Sequence, residues 1–455
     1  MNTNESETAR VLRAKHAATL SRRRFISRLG ATAVMGSLAS LDISRFAHAA
    51  GTDGIRLGLI GCGGRGSGAV SNALKAGKDV RLVAMADLFM EKINQSLSAI
   101  TKPANSSQIE VPPARRFVGF NAFQELLASG VDGVMLTTPP GFRPAHFQAA
   151  VSAGVHCFLE KPVAVDAPGV RQVRLSANSA RQRGLSAIVG LQERYDNSFR
   201  QCLSAISDGA IGKITRMRAT IHLDDLPRYT QRAVLESQLG RTLTEMEFQL
   251  RNWYPFVWLS GDMIVEMLVH HLDDCVSAMG KPPQQARGKA ERRKHTAAEY
   301  GDLSDFLSAT YTYPDGTELQ AEISGLSGSD RQWQATIEGE KGIATLPNKI
   351  LDRQGLGIWS FSGPKNNPYD EEMNQWCASI RNRKALNTVD SAADSTLVAI
   401  MGRTAAYTGR EITWKEILAS QDVFFPHNPK SYQEDPPFLP DKFGDYEYPA
   451  RGAKA

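Results

Sequence analysis

Three groups of residues have types and spacings that suit chemistry. The first is Gly61-Cys62-Gly63-Gly64-Arg65-Gly66, a G-x-G-x-x-G turn. Gly61 allows a tight turn, Gly63 lets backbone approach a pyrophosphate, and Gly66 lets a helix pack close to a strand. The helix that follows would offer free N–H groups to phosphate. Asp87 stands 21 residues past Gly66, where a carboxylate binds ribose hydroxyls. That charge repels a 2′-phosphate, and Leu88 and Phe89 supply no arginine, so NAD is expected over NADP. The second group is Glu160-Lys161-Pro162. An ammonium beside a cofactor crevice can hold a hydroxyl or carbonyl oxygen and help move a proton. The third is Glu266, His270 and Asp273, at i, i+4 and i+7, one face of a helix. A histidine oriented by a carboxylate can take a proton from a hydroxyl. The competing reading is a metal pair or a satisfied core histidine; adjacent His270 and His271 point apart and suit a shared metal poorly.

These groups need elements to hold them. Ile55–Ile60 reads as a strand, Ala69–Ala76 as an amphipathic helix, and Val80–Ala86 as a second strand ending at Asp87. Phe123–Ala128 and Pro144–Ala153 read as helices, Val131–Thr137 and Val155–Leu159 as strands. Alternation of this kind implies an α/β doubly wound parallel sheet with its working edge at the strands' carboxyl ends. The texture changes near Gly190. Lys213–Leu223 reads as a strand, Leu235–Leu259 as largely helical, and Val265–Met279 as one strong helix. Phe306–Tyr313, Leu319–Ile323, Gln332–Gly339 and Gly342–Leu346 read as antiparallel strands, the first pair turned at Pro314-Asp315-Gly316. Residues 371–383 and 394–409 read as helices. The expected division is a leader at 1–49, a dinucleotide-binding domain at 50–180, an α+β domain with an open sheet at 181–420, and an extended tail at 421–455. The last helices are expected to pack back on the first domain, and the tail to lie on the body or on a partner.

The net charge of +5 misleads. Residues 1–49 hold eight basic and three acidic side chains, 8 − 3 = +5, so the remainder is formally neutral and gives no argument for nucleic-acid binding. Ser21-Arg22-Arg23-Arg24-Phe25-Ile26 is a twin-arginine pattern, followed by an apolar stretch from Leu29 to Leu41 and small residues at Ala47-His48-Ala49. Export by the twin-arginine machinery to the periplasm, with cleavage near Ala49/Ala50, is the expectation; an uncleaved anchor is the competing one. The stretch is short of the ~20 apolar residues of a membrane span. Five scattered cysteines show neither metal-site nor disulfide spacing and read as buried thiols.

Taken together, the residues resemble the Gfo/Idh/MocA-type oxidoreductases. Val131-Asp132-Gly133-Val134 through Thr138-Pro139, with His146, is similar to that family's third-strand segment. Glu160-Lys161-Pro162, Gln192-Glu193-Arg194-Tyr195 and Gly261 to Asp273 resemble its signature, its second-domain opening and its acid-x-x-x-His helix. Arg381-Asn382 and Met401-Gly402-Arg403 to Trp414 resemble the end of its exported members. The resemblance implies a catalytic Lys161, an acid/base His270, Glu266 where aspartate is usual, and Asp273 completing the substrate face. The cofactor-binding set would be Gly61, Gly63, Gly64, Arg65, Gly66, Asp87, Thr138, Pro139, Glu160, Lys161 and Gln192. Glutamate at 266 and Leu268 where many members have glycine depart from the family pattern.

The leading expectation is hydride transfer between tightly held NAD and a secondary hydroxyl of a sugar, sugar derivative or cyclitol. A glycoside-cleaving enzyme that oxidises its substrate transiently needs nearly the same residues. A ligand-binding protein of the same fold is the third reading, and Lys161, His270, Asp87 and the glycines weigh against it. No metal is expected; a dimer or tetramer is, by resemblance.

Overall fold

The computed structural model describes residues 54–102, 105–326, 328 and 331–448; the expected leader and its cleavage point lie outside them. The first lobe alternates β1 (Ile55–Ile60), α1 (Gly64–Ala73), β2 (Val80–Asp87), α2 (Met90–Ile100), β3 (Arg116–Val118), α3 (Ala122–Ala128), β4 (Gly133–Leu136), α4 (Arg143–Ser152), β5 (His156–Glu160), α5 (Ala167–Gln182) and β6 (Ala187–Gly190). Every pairing is parallel, in the order β3-β2-β1-β4-β5-β6. Strands β4 and β6 are buried at every residue, which is why such strands read as unbroken apolar runs. The chain winds outward from β1 to β3 and returns to place β4 on the other side of β1. Connections therefore leave β1 and β4 in opposite directions and open a crevice at their carboxyl ends. Because β6 belongs to this sheet, the first lobe runs past residue 180, its expected limit; the change of texture near Gly190 marks the boundary.

The second lobe opens with α6 (Asn197–Ser207) and β7 (Ile214–His222), then runs through α7 (Arg232–Leu239), α8 (Glu245–Arg251), α9 (Val257–Ser260), α10 (Met263–Glu266) and α11 (Val269–Met279). Strands β8 (Gln285–Glu291), β9 (Phe306–Thr312), β10 (Glu318–Ser324), β11 (Gln332–Gly339), β12 (Gly342–Thr345), β13 (Lys349–Asp352) and β14 (Gly357–Ser360) follow. Helices α12 (Pro368–Arg381) and α13 (Val389–Thr408), strand β15 (Ile412–Thr413) and α14 (Trp414–Ala419) complete it. The nine strands run β14-β13-β12-β11-β7-β10-β9-β8-β15, antiparallel except for the parallel pair β7–β10. Period-two burial builds one core face: Leu307 pairs with Ile323, Ala309 with Ala321, and Tyr311 with Leu319. Helices α11 and α13 cover that face. Helix α13 also packs on α5, and a helix apolar all round is one buried between layers. Helix α12 returns to pack on α1.

Two expectations change. Leu235–Leu259 is three short helices, because Gly240 takes a left-handed cap and Pro255 interrupts the next turn. Val265–Met279 is broken between α10 and α11: Met267 leaves ideal helix geometry and the Leu268 amide bonds back to Met263, five residues away. Beyond Ser420 the chain has no helix or strand among its described residues and lies across its own body.

Candidate active site

The crevice between β1 and β4 is a cleft of about 670 Å³, within the range of small-molecule sites. Gly61 sits at φ +94°, and a Cβ there would stand 2.6 Å from the Thr138 amide. A Cβ on Gly66 would stand 2.3 Å from the Gly61 carbonyl oxygen. These two glycines are needed to close the turn. Gly63 and Gly64 have nothing within 4 Å of a would-be Cβ, so their bare backbone faces the cleft. The first helical bond runs from Ser67 N to Gly63 O, leaving the preceding amides without helical partners. Asp87 fixes the turn as well as facing the cleft: Oδ2 accepts from Cys62 N (2.6 Å) and Oδ1 from Phe89 N (3.0 Å). Burial pushes this carboxyl up against the pull of those two amides. Each oxygen keeps a lone pair for a further donor. Bare glycines, unpaired amides and a half-buried acid are what a dinucleotide's pyrophosphate and ribose require. Thr138 and Pro139 line the same cleft, with Thr138 Oγ1 3.2 Å from His146 Nδ1.

Glu160, Lys161 and Gln192 fall in a polar cluster beside this wall. Strands β5 and β6 pair Glu160 with Gly190, so Lys161 and the turn at Gln192–Tyr195 leave neighbouring strand ends. Arg65 joins cleft to cluster: its Nε donates to Glu160 Oε1, and its guanidinium lies 4.8 Å from the Tyr369 ring centroid. The break before α11 explains how Lys161 is held. The His270 amide bonds to Met267 O, so it is not spent on Glu266 O; the Lys161 ammonium takes that carbonyl and Glu266 Oε1 (3.1 Å). The Glu266 and Lys161 side chains are 10% and 14% exposed, so the pair is largely desolvated. A cis peptide joins Lys161 to Pro162.

The carboxylate that orients His270 is Glu193, whose Oε2 lies 3.1 Å from His270 Nδ1. Gln192 Nε2 donates to the other Glu193 oxygen (2.7 Å). Burial raises the Glu193 carboxyl, but the charge and hydrogen bond of His270 outweigh it and leave the group low. Asp273 is placed elsewhere than on a substrate face. Arg194 grips both its oxygens (2.9 and 2.5 Å) and Ser395 Oγ donates to Oδ1 (2.5 Å). His271 turns away to Asp274 Oδ2 (3.0 Å), and burial lowers its pKa to about 4. No cluster suited to a metal ion occurs among the described residues, and all five cysteines are buried and free.

Besides Glu193, which the sequence placed only within a family-like segment, three contributors lie outside the residues expected from sequence. Arg143 is fully buried; its guanidinium donates to Thr138 O and Pro162 O, clamping the loops that carry Thr138 and Lys161. Burial pulls it down to about 10, with Glu160 and Glu266 opposing. Tyr254 is buried with its hydroxyl toward Glu266, and burial holds that hydroxyl far above its ordinary range. Asn428 of the tail lines the cleft. An arginine directly before proline at a helix start, as in Gly141-Phe142-Arg143-Pro144, was the available signal for Arg143; Tyr254 and Asn428 had none.

Residues 55–191 match the family model described as oxidoreductase family, NAD-binding Rossmann fold, and residues 199–345 match the GFO/IDH/MocA C-terminal domain. An inositol 2-dehydrogenase of Burkholderia multivorans is 25% identical over 76% of this chain and 91% of its own. A myo-inositol dehydrogenase of Streptomyces leeuwenhoekii is 26% identical over 45% of this chain and 59% of its own. Among solved structures, an aldose-aldose oxidoreductase from Caulobacter crescentus superposes with TM-score 0.60 at 15% identity, covering 79% of this chain and 99% of that one. A myo-inositol dehydrogenase from Lactobacillus casei, in complex with NAD(H) and myo-inositol, gives TM-score 0.58 at 16% identity, covering 82% and 99%. At such identities the structural likeness concerns the fold, which agrees with the two adjoining family matches. With its glycine turn, Asp87 and both lobes accounted for, the chain belongs to the Gfo/Idh/MocA family of NAD-dependent oxidoreductases.

Proposed function

We propose that this enzyme moves a hydride between NAD and a secondary hydroxyl of a sugar, sugar derivative or cyclitol. The observation that carries the reading is the orientation of His270. With Nδ1–H given to Glu193, Nε2 is left with a lone pair and can serve as base. Lys161, fixed by Glu266 and by the carbonyl freed at the helix break, is the group that holds the substrate oxygen. The nicotinamide, when bound, supplies the two-electron acceptor or donor. As the substrate carbon–hydrogen bond breaks and a carbonyl forms, the hydroxyl proton passes to His270 Nε2; in reverse His270 returns it. Gly63, Gly64, Arg65 and Asp87 would hold the cofactor. The inositol and aldose specificities of the relatives support a polyol substrate.

The twin-arginine leader supports export in the folded state, and hence a cofactor loaded before export and retained. The test begins with the purified mature protein: denature it, identify the released nucleotide, then screen sugars and cyclitols for changes in nicotinamide absorbance. His270→Asn and Lys161→Met are each expected to lower turnover ~10²–10⁴-fold, His270→Asn with nucleotide content unchanged. Full turnover in both variants overturns the assignment.

A further inference from the structure

The segment after Ser420 has contacts that a passive tail does not need. The amides of Phe424 and Phe425 donate to Asp166 Oδ2 (2.9 and 3.2 Å), while Asp166 Oδ1 caps helix α5 at Gly169. The Phe425 ring stacks on Trp258 and meets Phe142 edge-on, with centroids 5.5 and 5.0 Å apart. Gly141 makes room for it, since a Cβ there would lie 2.4 Å from the Phe425 ring. The body of the protein is thus shaped around this segment close to Thr138 and Pro139.

Further on, the Tyr432 hydroxyl donates to Leu88 O (2.9 Å), and its ring stacks on Phe89 and leans on Phe120. Leu88 and Phe89 directly follow Asp87, and Phe120 follows Gly119 in the cleft wall. In this fold the acid ending the second strand receives the adenosine ribose. Tyr432 therefore seals the rim at the adenosine end. Gln249 Nε2 holds Phe438 O (2.7 Å), and the Tyr446 hydroxyl reaches Glu245, which fastens the segment downstream. Between the two anchors, Asn428 and Pro429 line the cleft. Asn428 Oδ1 is buried and has no hydrogen-bond partner among the described residues. A buried acceptor left without a donor is costly, so its position on a ligand cleft implies a ligand donor.

We propose that residues 424–446 form the outer wall of the adenosine half of the cofactor cleft. Asn428 accepts a hydrogen bond from an N–H or O–H of the adenosine, and nucleotide leaves only when this wall lifts. The inference rests on the cofactor reading above and extends it to a segment beyond both matched family domains. It also gives a physical basis for keeping the nucleotide on an exported enzyme.

The experiment uses the full mature chain loaded with radiolabelled NAD and chased with excess unlabelled NAD. Asn428→Leu and, separately, Tyr432→Ala are expected to release label about tenfold faster than wild type, about one hydrogen bond or ring contact. Both should weaken ADP-ribose binding in proportion and leave nicotinamide mononucleotide binding unchanged. Asn428→Asp, which keeps an acceptor, should restore slow release. Wild-type release rates and ADP-ribose affinity in both variants overturn the proposal while leaving the cofactor reading intact. Wild-type protein that binds no NAD overturns both.

Discussion

Asp273 was expected on the substrate face, and its surroundings assign it a different job that can be measured. Its carboxylate is 1% exposed and takes two bonds from Arg194 and one from Ser395. Asp273→Asn keeps the shape but removes the charge, leaving the Arg194 guanidinium without its counter-ion. Breaking a buried pair from one side costs ~3–5 kcal/mol. Arg194 keeps Ser391 Oγ (2.6 Å) and its side chain is 20% exposed, so water and one hydroxyl soften the loss. The lower end, about 3 kcal/mol, is the expectation, a large share of a typical total of ~5–15 kcal/mol. The assay is urea unfolding of wild type, Asp273→Asn, Arg194→Met and the double variant, read as a cycle. Both single variants should fall by about 3 kcal/mol and the double by little more than either, giving a coupling of roughly 2–3 kcal/mol. NAD retention should not change in Asp273→Asn. If that variant unfolds with the wild-type midpoint yet loses turnover, Asp273 acts on substrate and the structural assignment is wrong.

Two further outcomes follow from the same geometry. Gly66→Ala forces a Cβ to 2.3 Å from Gly61 O, so it should lose ~1–3 kcal/mol of stability together with NAD binding, whereas Gly64→Ala meets nothing within 4 Å. Gly64→Ala should therefore keep the wild-type melting point and lose only NAD affinity, by about tenfold or more, because its methyl enters the phosphate space; equal melting losses in both would refute the distinction. Burial raises Asp302 from 3.8 to about 7, so the folded state binds its proton more tightly than the unfolded chain. Stability from this group is full below the unfolded value and is lost as pH rises toward about 7. Asp302→Asn should flatten that decline, gaining on the order of 4 kcal/mol at most relative to wild type by pH 8. A wild-type-to-variant gap that stays constant from pH 4 to pH 8 would count against it.

The parallel sheet and the cofactor turn were legible because their signals are local. A glycine turn between strand and helix, and an acid ending the next strand, lie within a few dozen residues of one another. The period-two strands of the second lobe were legible for the same reason. The site beyond the cofactor was only half legible. Glu266, His270 and Asp273 share a spacing that predicts one helical face, but Leu268 N bonds to Met263 and breaks the helix between the first two. Spacing alone does not reveal such a break, since no proline or glycine marks it. The orienting carboxylate of His270 comes from Glu193, 77 residues earlier, and the tail reaches the cleft from more than 300 residues beyond Asp87. Such pairings are set by how two lobes and a tail pack, which no local pattern encodes.

What the packing adds is a partner for each charged group beside the cofactor turn. The buried cluster pairs Arg65 with Glu160, Lys161 with Glu266, His270 with Glu193 and Arg194 with Asp273. Glu372 lies among them, fully buried, with neither oxygen hydrogen-bonded among the described residues. Burial first, and then Glu160 and Glu193 against the pull of Arg65 and Arg194, push its carboxyl well up. Arginine does not give up its proton in proteins, so Arg65, Arg194 and the clamp Arg143 serve as fixed charges. Lys161 and His270 are each tethered on one side by a carboxylate, one at a strand end and the other just after a helix break. Three guanidinium groups thus fix the carboxylates and loops around Lys161 and His270.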